Sequence, residues 1–160
     1  VYVMGNAAGR PLINGVGKPR VVINGTCLDF LAESFMAGNP LNGGGFAVLN
    51  GMAFDDRGRL VEQASPYPGS NLFSLASGGA IYVRDPHRKV SPEQLNNGEI
   101  AEMTRADWTL ILPYLRENER LFGISIEEDL LKVGSEDWHP EKVYRKVQPA
   151  GEQIETGLED

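Results

Sequence analysis

Apolar and polar positions alternate in four short stretches, each with an abrupt stop: "VYVMG" at Val1 to Gly5, "VVING" at Val21 to Gly25, "AVLNG" at Ala47 to Gly51 and "IYVRD" at Ile81 to Asp85. Aligned on the final residue, the position four back holds Val1, Val21, Ala47 and Ile81, and the position two back holds Val3, Ile23, Leu49 and Val83. A period of two with β-branched residues predicts strands that bury one face. The alternate positions Tyr2, Val22, Val48 and Tyr82 are apolar as well, so the outward face needs a cover, supplied by the tail of the chain or by a partner. Asn24-Gly25 and Asn50-Gly51 read as turn chemistry that ends each strand.

Tight hairpins need a second strand a few residues on, whereas Gly25 is followed by "TCLDFLAESFMAG". The stops recur after 20, 26 and 34 residues, the longest interval containing the polar loop "DDRGRLVEQASPYPGS". Repeats of this size predict stacked coils. Gly38, Gly43 to Gly45, Gly78 and Gly79 stand before strands, at corners where a side chain would strike the neighbouring coil. The expected fold class is an all-β solenoid, a single-stranded parallel β-helix, with a short α-helical and extended C-terminal tail.

Beyond residue 90 the period changes. Thr104 and Asp107 form a capping box ahead of an apolar stripe, Trp108, Ile111, Leu112 and Leu115, in which Pro113 predicts a kink or a split. Ser125 and Glu128 form a second box before Leu130 and Leu131. The division that follows is a β-helix domain over 1–90, reading as truncated at its amino terminus, and a helical cap with an extended arm over 91–160. The arm runs from about Lys132 and leaves a free end after Pro149.

Charge separates the same two halves. Residues 1–80 hold 14 of the 19 glycines and five charges of each sign, while residues 81–160 hold 10 Lys or Arg against 17 Asp or Glu, so the whole net charge of −7 sits in the second half. No basic stripe is present to neutralise phosphates, which argues against nucleic acid and against an anionic membrane surface. No apolar run reaches membrane-spanning length, no signal peptide is visible, and the single Cys27 fits a reducing cytoplasm. Asn24-Gly25-Thr26 matches a glycosylation sequon but reads as a turn without a secretory signal.

The stretches "VVINGTCLDFLAESFMAG", "GGGFAVLNG" and "SGGAIYVRD" resemble the coils of the carboxy-terminal domain of the glutamate synthase α-subunit, the GXGXG family. The segments "EIAEMTRADWTLILPYLRENERLFGI" and "PEKVYRKVQP" are similar to the tail of its stand-alone form, a glutamate synthase domain 3-like subunit. The resemblance covers about residues 1–149, with Ala32 and Asp85 departing from motif glycines. It implies a right-handed β-helix that spaces and docks an amidotransferase and an FMN-bearing synthase-type subunit, with an iron–sulfur electron-transfer subunit in the assembly. FMN and iron–sulfur clusters would then reside on those partners and none on this chain, in a hetero-oligomeric oxidoreductase complex of glutamate biosynthesis. The C subunit of formylmethanofuran dehydrogenase is similar in fold and supplies an alternative scaffold role.

Candidate chemistry is sparse. The loop "GVGKPR", Gly15 to Arg20, lacks the Ser or Thr and the helix that a phosphate-binding loop requires. Cys27 has no His within sixty residues to activate it. His87 and His139 adjoin prolines without metal-ligand spacing. The carboxylates of Glu127 to Leu131 and Ser135 to Asp137 read as a solvated face. These readings assign no catalytic, cofactor-binding or metal residue. The competing class is a small stand-alone enzyme whose site lies between the 55–70 loop and the tail; a third is a free-standing binding module.

Overall fold

A computed structural model describes residues 1–7, 19–27, 32–33, 38–69, 73–74, 78–96 and 98–150. In chain order its strands are β1 (Tyr2–Val3), β2 (Arg20–Ile23), β3 (Ala32–Glu33), β4 (Phe46–Leu49), β5 (Met52–Phe54), β6 (Leu60–Glu62), β7 (Phe73–Ser74), β8 (Ala80–Arg84), β9 (Gly98–Ala101), β10 (Lys132–Val133), β11 (Glu136–Asp137) and β12 (Tyr144–Pro149). Helix α1 spans Arg105–Phe122 and the one-turn helix α2 spans Pro140–Val143. The predicted free end after Pro149 falls on residues 151–160, outside the described residues.

The four apolar copies become β1, β2, β4 and β8, which pair in parallel. Their register is that of the sequence alignment: Tyr2 faces Val22, Val48 and then Tyr82, while Val3 faces Ile23, Leu49 and then Val83. Gly25 is fixed by this stacking, because a Cβ built there would lie 2.1 Å from Asn6 Oδ1 and 2.7 Å from the Gly5 carbonyl carbon. Gly51 is fixed by its backbone instead, at φ +65°, where a side chain is strained.

The all-β, right-handed β-helix solenoid is nevertheless incorrect, and the fold is mixed α/β. The main sheet has six strands in the order β1-β2-β4-β8-β12-β9, and both β12–β8 and β12–β9 are antiparallel. The pairs β3–β7, β5–β6 and β10–β11 form separate two-stranded sheets. Two-residue alternation reports that a strand buries one face; it does not say what lies over the other. Here the other face is equally apolar, so a second layer is required, and a helix supplies it. The arm expected from Lys132 onward is built into the fold: it makes the β10–β11 hairpin, α2 and β12, the last of which covers the edge of β8 that would otherwise stand unpaired.

Two buried clusters result. On the inner face Val21, Ile23, Ala47, Leu49, Ile81 and Val83 pack with Tyr67, Val90, Leu95 and Val147. On the outer face Val22, Val48 and Tyr82 pack beneath Ile111 and Leu115 of α1 and with Ile126, Leu130, Val143 and Tyr144. The tail is therefore the cover of the outer face. Instead of closing the end of a stack, α1 lies against the sheet.

Helix α1 runs unbroken through Pro113. The proline is exposed, and the carbonyl it leaves without a donor is that of Thr109, also on the exposed side, where water can satisfy it. At the start of α1 the Thr104 hydroxyl accepts from the Asp107 amide while the Asp107 carboxylate accepts from the Thr104 amide, a reciprocal cap. The second box is different: Ser125 Oγ accepts from the Glu128 amide, but Asp129, not Glu128, returns the bond to the Ser125 amide, and a single wide π-type turn follows over Ile126–Leu130.

Candidate functional site

The position one before each stop carries Met4, Asn24, Asn50 and Arg84. Just past β2 and at the end of β8 this position follows the outer-face residues Val22 and Tyr82 by two, and its side chains hold the tail. Asn24 and Asn118 of α1 exchange amide hydrogen bonds at 2.8 and 2.7 Å. The Asn50 amide donates to Asn24 Oδ1 at 2.9 Å, and the Tyr144 hydroxyl donates to Asn50 Oδ1 at 2.6 Å. Arg84 donates through Nε to the Leu130 carbonyl at 2.8 Å and through Nη2 to the Lys132 carbonyl at 3.0 Å. All five of these side chains are buried, where each polar group needs a partner or destabilises the fold.

A second buried group centres on Asp107. It accepts from the Tyr82 hydroxyl at 2.7 Å and pairs with Lys146 Nζ at 2.9 Å, joining β8, α1 and β12. Burial pushes the Asp107 carboxyl up, yet the bonds from Thr104, Tyr82 and Lys146 prevail and hold it below the ordinary carboxylate range. The Tyr82 phenol is raised, by burial first and then by the bond to Asp107 and its charge. Tyr144 is raised by burial, with Arg84 opposing. Asp85, also buried, accepts from the amides of Lys89 and Val90 and from Arg145 Nη1 at 3.1 Å, which shapes the "DPHRKV" turn.

The 55–70 segment and the tail do converge. Part of that segment is not loop: Leu60–Glu62 pairs with Met52–Phe54 in an antiparallel hairpin, turned by Asp55 accepting from the amides of Arg57 and Arg59. A cleft of about 180 Å³ lies between this hairpin and the turn after α1, lined by Leu60, Glu62, Arg84, Glu128, Asp129 and Lys132. Of its lining residues Glu62 lies 3.4 Å from Arg84, and it is also 3.2 Å from Nε2 of His87, which stands outside this cleft in the "DPHRKV" turn. A carboxylate held by a buried guanidinium and set against a half-exposed imidazole is an arrangement that can pass a proton.

The remaining candidates are dispersed. In "GVGKPR", residues 15–18 lie outside the described residues, and Arg20 stacks over the rings of Phe46 and Tyr114 at 5.3 and 5.5 Å. Cys27 is buried in the inner cluster. His139 is exposed and precedes α2. Glu127 pairs with Arg116, whereas Glu128 and Asp137 flank Lys132 at 3.9 and 3.0 Å. Among the described residues no three His, Cys, Asp or Glu side chains are grouped to hold a metal, and a single cysteine cannot supply the thiolates of an iron–sulfur cluster. No helix among them is long and apolar enough to cross a membrane.

Sequence reasoning missed both buried groups, Asn24, Asn50 and Tyr144 in one and Asp107 and Lys146 in the other. One usable signal was the alignment itself, which set Asn24, Asn50 and Arg84 in one column on strands whose neighbouring outward positions are apolar. Comparison of the chain with known protein families, with curated proteins and with solved structures finds no match.

Proposed function

We propose that this chain is a non-catalytic structural subunit or domain of a glutamate synthase-like multisubunit oxidoreductase, spacing and docking an amidotransferase and FMN and iron–sulfur subunits in the cytoplasm. One observation carries the reading. The stretches that resemble the GXGXG family, "VVING", "AVLNG" and "IYVRD", pair as parallel neighbours in the register of their alignment. The buried polar side chains that follow them support it, since Asn24, Asn50, Arg84 and Asp85 each bond to another part of the same chain. Bonds of this kind, between distant parts of one chain, hold a shape. Any flavin or cluster belongs to a partner. The test is affinity purification of the tagged chain from its native host. The scaffold reading expects co-elution with flavin- and iron–sulfur-containing subunits; a chain that elutes alone as a monomer contradicts it.

The Glu62–Arg84 pair that lines the cleft between hairpin and tail, with His87 3.2 Å from Glu62, favours a second reading, a small enzyme with its site there. Glutaminase or glutamate-forming turnover by the isolated chain, abolished by Glu62→Gln, would establish it in place of the first.

A further inference from the structure

A different cleft, of about 280 Å³, lies where β9, α2 and β12 meet, with Arg88, Glu102, Met103, Glu141, Lys142 and Arg145 on its walls. Its size is near the lower end of small-molecule sites, roughly 300–1,000 Å³. At several other places on the surface opposite charges close on each other: Arg116 pairs with Glu127, Arg120 with Glu117, and Lys132 with Asp137. In this cleft they do not. Arg88, Glu102, Glu141 and Lys142 form no side-chain hydrogen bond or ion pair with the described residues, although both signs line one cavity.

The cleft also has a fixed element. Arg145 is anchored through Nη1 to buried Asp85 and to the Val90 carbonyl, and its Nε is buried with no partner among the described residues. Arg88 is held at φ +57°, a left-handed conformation unusual for a residue with a side chain. We infer that this cleft binds a small zwitterion, a molecule with a carboxylate and an ammonium on a short framework, the carboxylate facing Arg88, Lys142 and Arg145 and the ammonium facing Glu102 and Glu141. A plain anion leaves the two carboxylates unmatched, and a plain cation leaves Arg88 and Lys142 so. The reading is independent of any role in a larger assembly.

The test is an amide NMR titration of the full chain with L-alanine, with acetate and methylammonium as separate single-charge probes. Alanine is expected to give saturable shifts confined to residues 88, 100–103 and 141–145, with a dissociation constant at least tenfold lower than either control. Arg88→Gln with Lys142→Gln, and separately Glu102→Gln with Glu141→Gln, are each expected to weaken alanine binding about tenfold while distant resonances stay in place. These side chains are exposed and unpaired, so the variants should fold. Absence of saturable shifts, equal binding of acetate or methylammonium, or alanine binding that neither pair of variants changes, overturns the inference. The comparison of the three probes on the unaltered chain decides it even without the variants.

Discussion

The two faces of the six-stranded sheet are built from adjacent residues of the same strands, yet they are held by different forces. On the inner face the ladder positions are aliphatic throughout, Val21, Ala47 and Ile81 beside Ile23, Leu49 and Val83. Burial of such surface is non-directional: it fixes that the strands stack but tolerates many partners. On the outer face the apolar ladder of Val22, Val48 and Tyr82 runs beside Asn24 and Arg84 and is crossed by the bonds to Asp107 and Asn50. Directional bonds there bring in residues about 25 to 94 positions away, so one cover, in one register, satisfies the buried groups. The inner face determines that the repeats associate; the outer face determines what lies over them.

Removing Asp107 should break that contrast hardest. Asp107→Ala leaves the buried Lys146 ammonium and the Tyr82 hydroxyl without their acceptor and removes the carboxylate half of the α1 cap, and stranding one half of a buried ion pair costs about 3–5 kcal/mol. Chemical denaturation measures this, and the variant should lose the protection of α1 from hydrogen exchange along with global stability. Ile23→Ala, confined to the inner face, should cost about 2–5 kcal/mol through lost burial and the cavity left behind. Its effect should fall on the whole ladder, with the slope of the denaturation curve unchanged. A loss below about 0.5 kcal/mol would mean that the inner column does not bury that residue as described, since cavity-forming changes in a packed core exceed this.

Alkaline titration sharpens the difference, because both buried tyrosines with raised phenols serve the outer face. A group whose folded pKa lies above its unfolded value contributes stability that is complete below the unfolded value, about 10 for tyrosine, and is lost as pH rises toward the folded one. Above pH about 10 stability should therefore fall by about 1.4 kcal/mol per pH unit for each of Tyr82 and Tyr144. Tyr82→Phe should reduce that slope by the share of one group. At the acid end the depressed Asp107 works in the opposite sense: its contribution is present above the ordinary carboxylate range and is lost as pH falls through its lowered folded value.

Much of the inner face was legible in the sequence. Val3, Ile23, Leu49 and Val83 could be set opposite one another from spacing alone because period-two alternation and a shared stop define a register. The cap of α1 was legible too, since Thr104 and Asp107 stand at the one spacing that lets each bond the other's amide. The outer layer was not. Asn24 and Asn50 precede glycines, and Asn-Gly carries such a strong turn meaning that their second use as buried amides was hidden. Strand β12 reads "YRKVQP", with a charged residue at each of the second and third positions, and nothing local announces that Lys146 reaches a buried carboxylate or Arg145 a buried aspartate. Those partners come from elements 39 and 60 residues earlier, and only the assembled sheet brings them within reach. The solenoid expectation failed for the same reason, because local pattern identifies stacked strands without identifying the layer above them.

The most direct test of the polar anchoring of the tail is a double-mutant cycle between Asn24 and Asn118, whose amides bond reciprocally across 94 residues of chain. Asn24→Ala, Asn118→Ala and the double variant should show a coupling free energy within the range of about 0.5–3 kcal/mol typical of residues in one hydrogen-bond network. Strict additivity, within about 0.3 kcal/mol, is the behaviour of distant sites and would mean that α1 is not held to the sheet by this column.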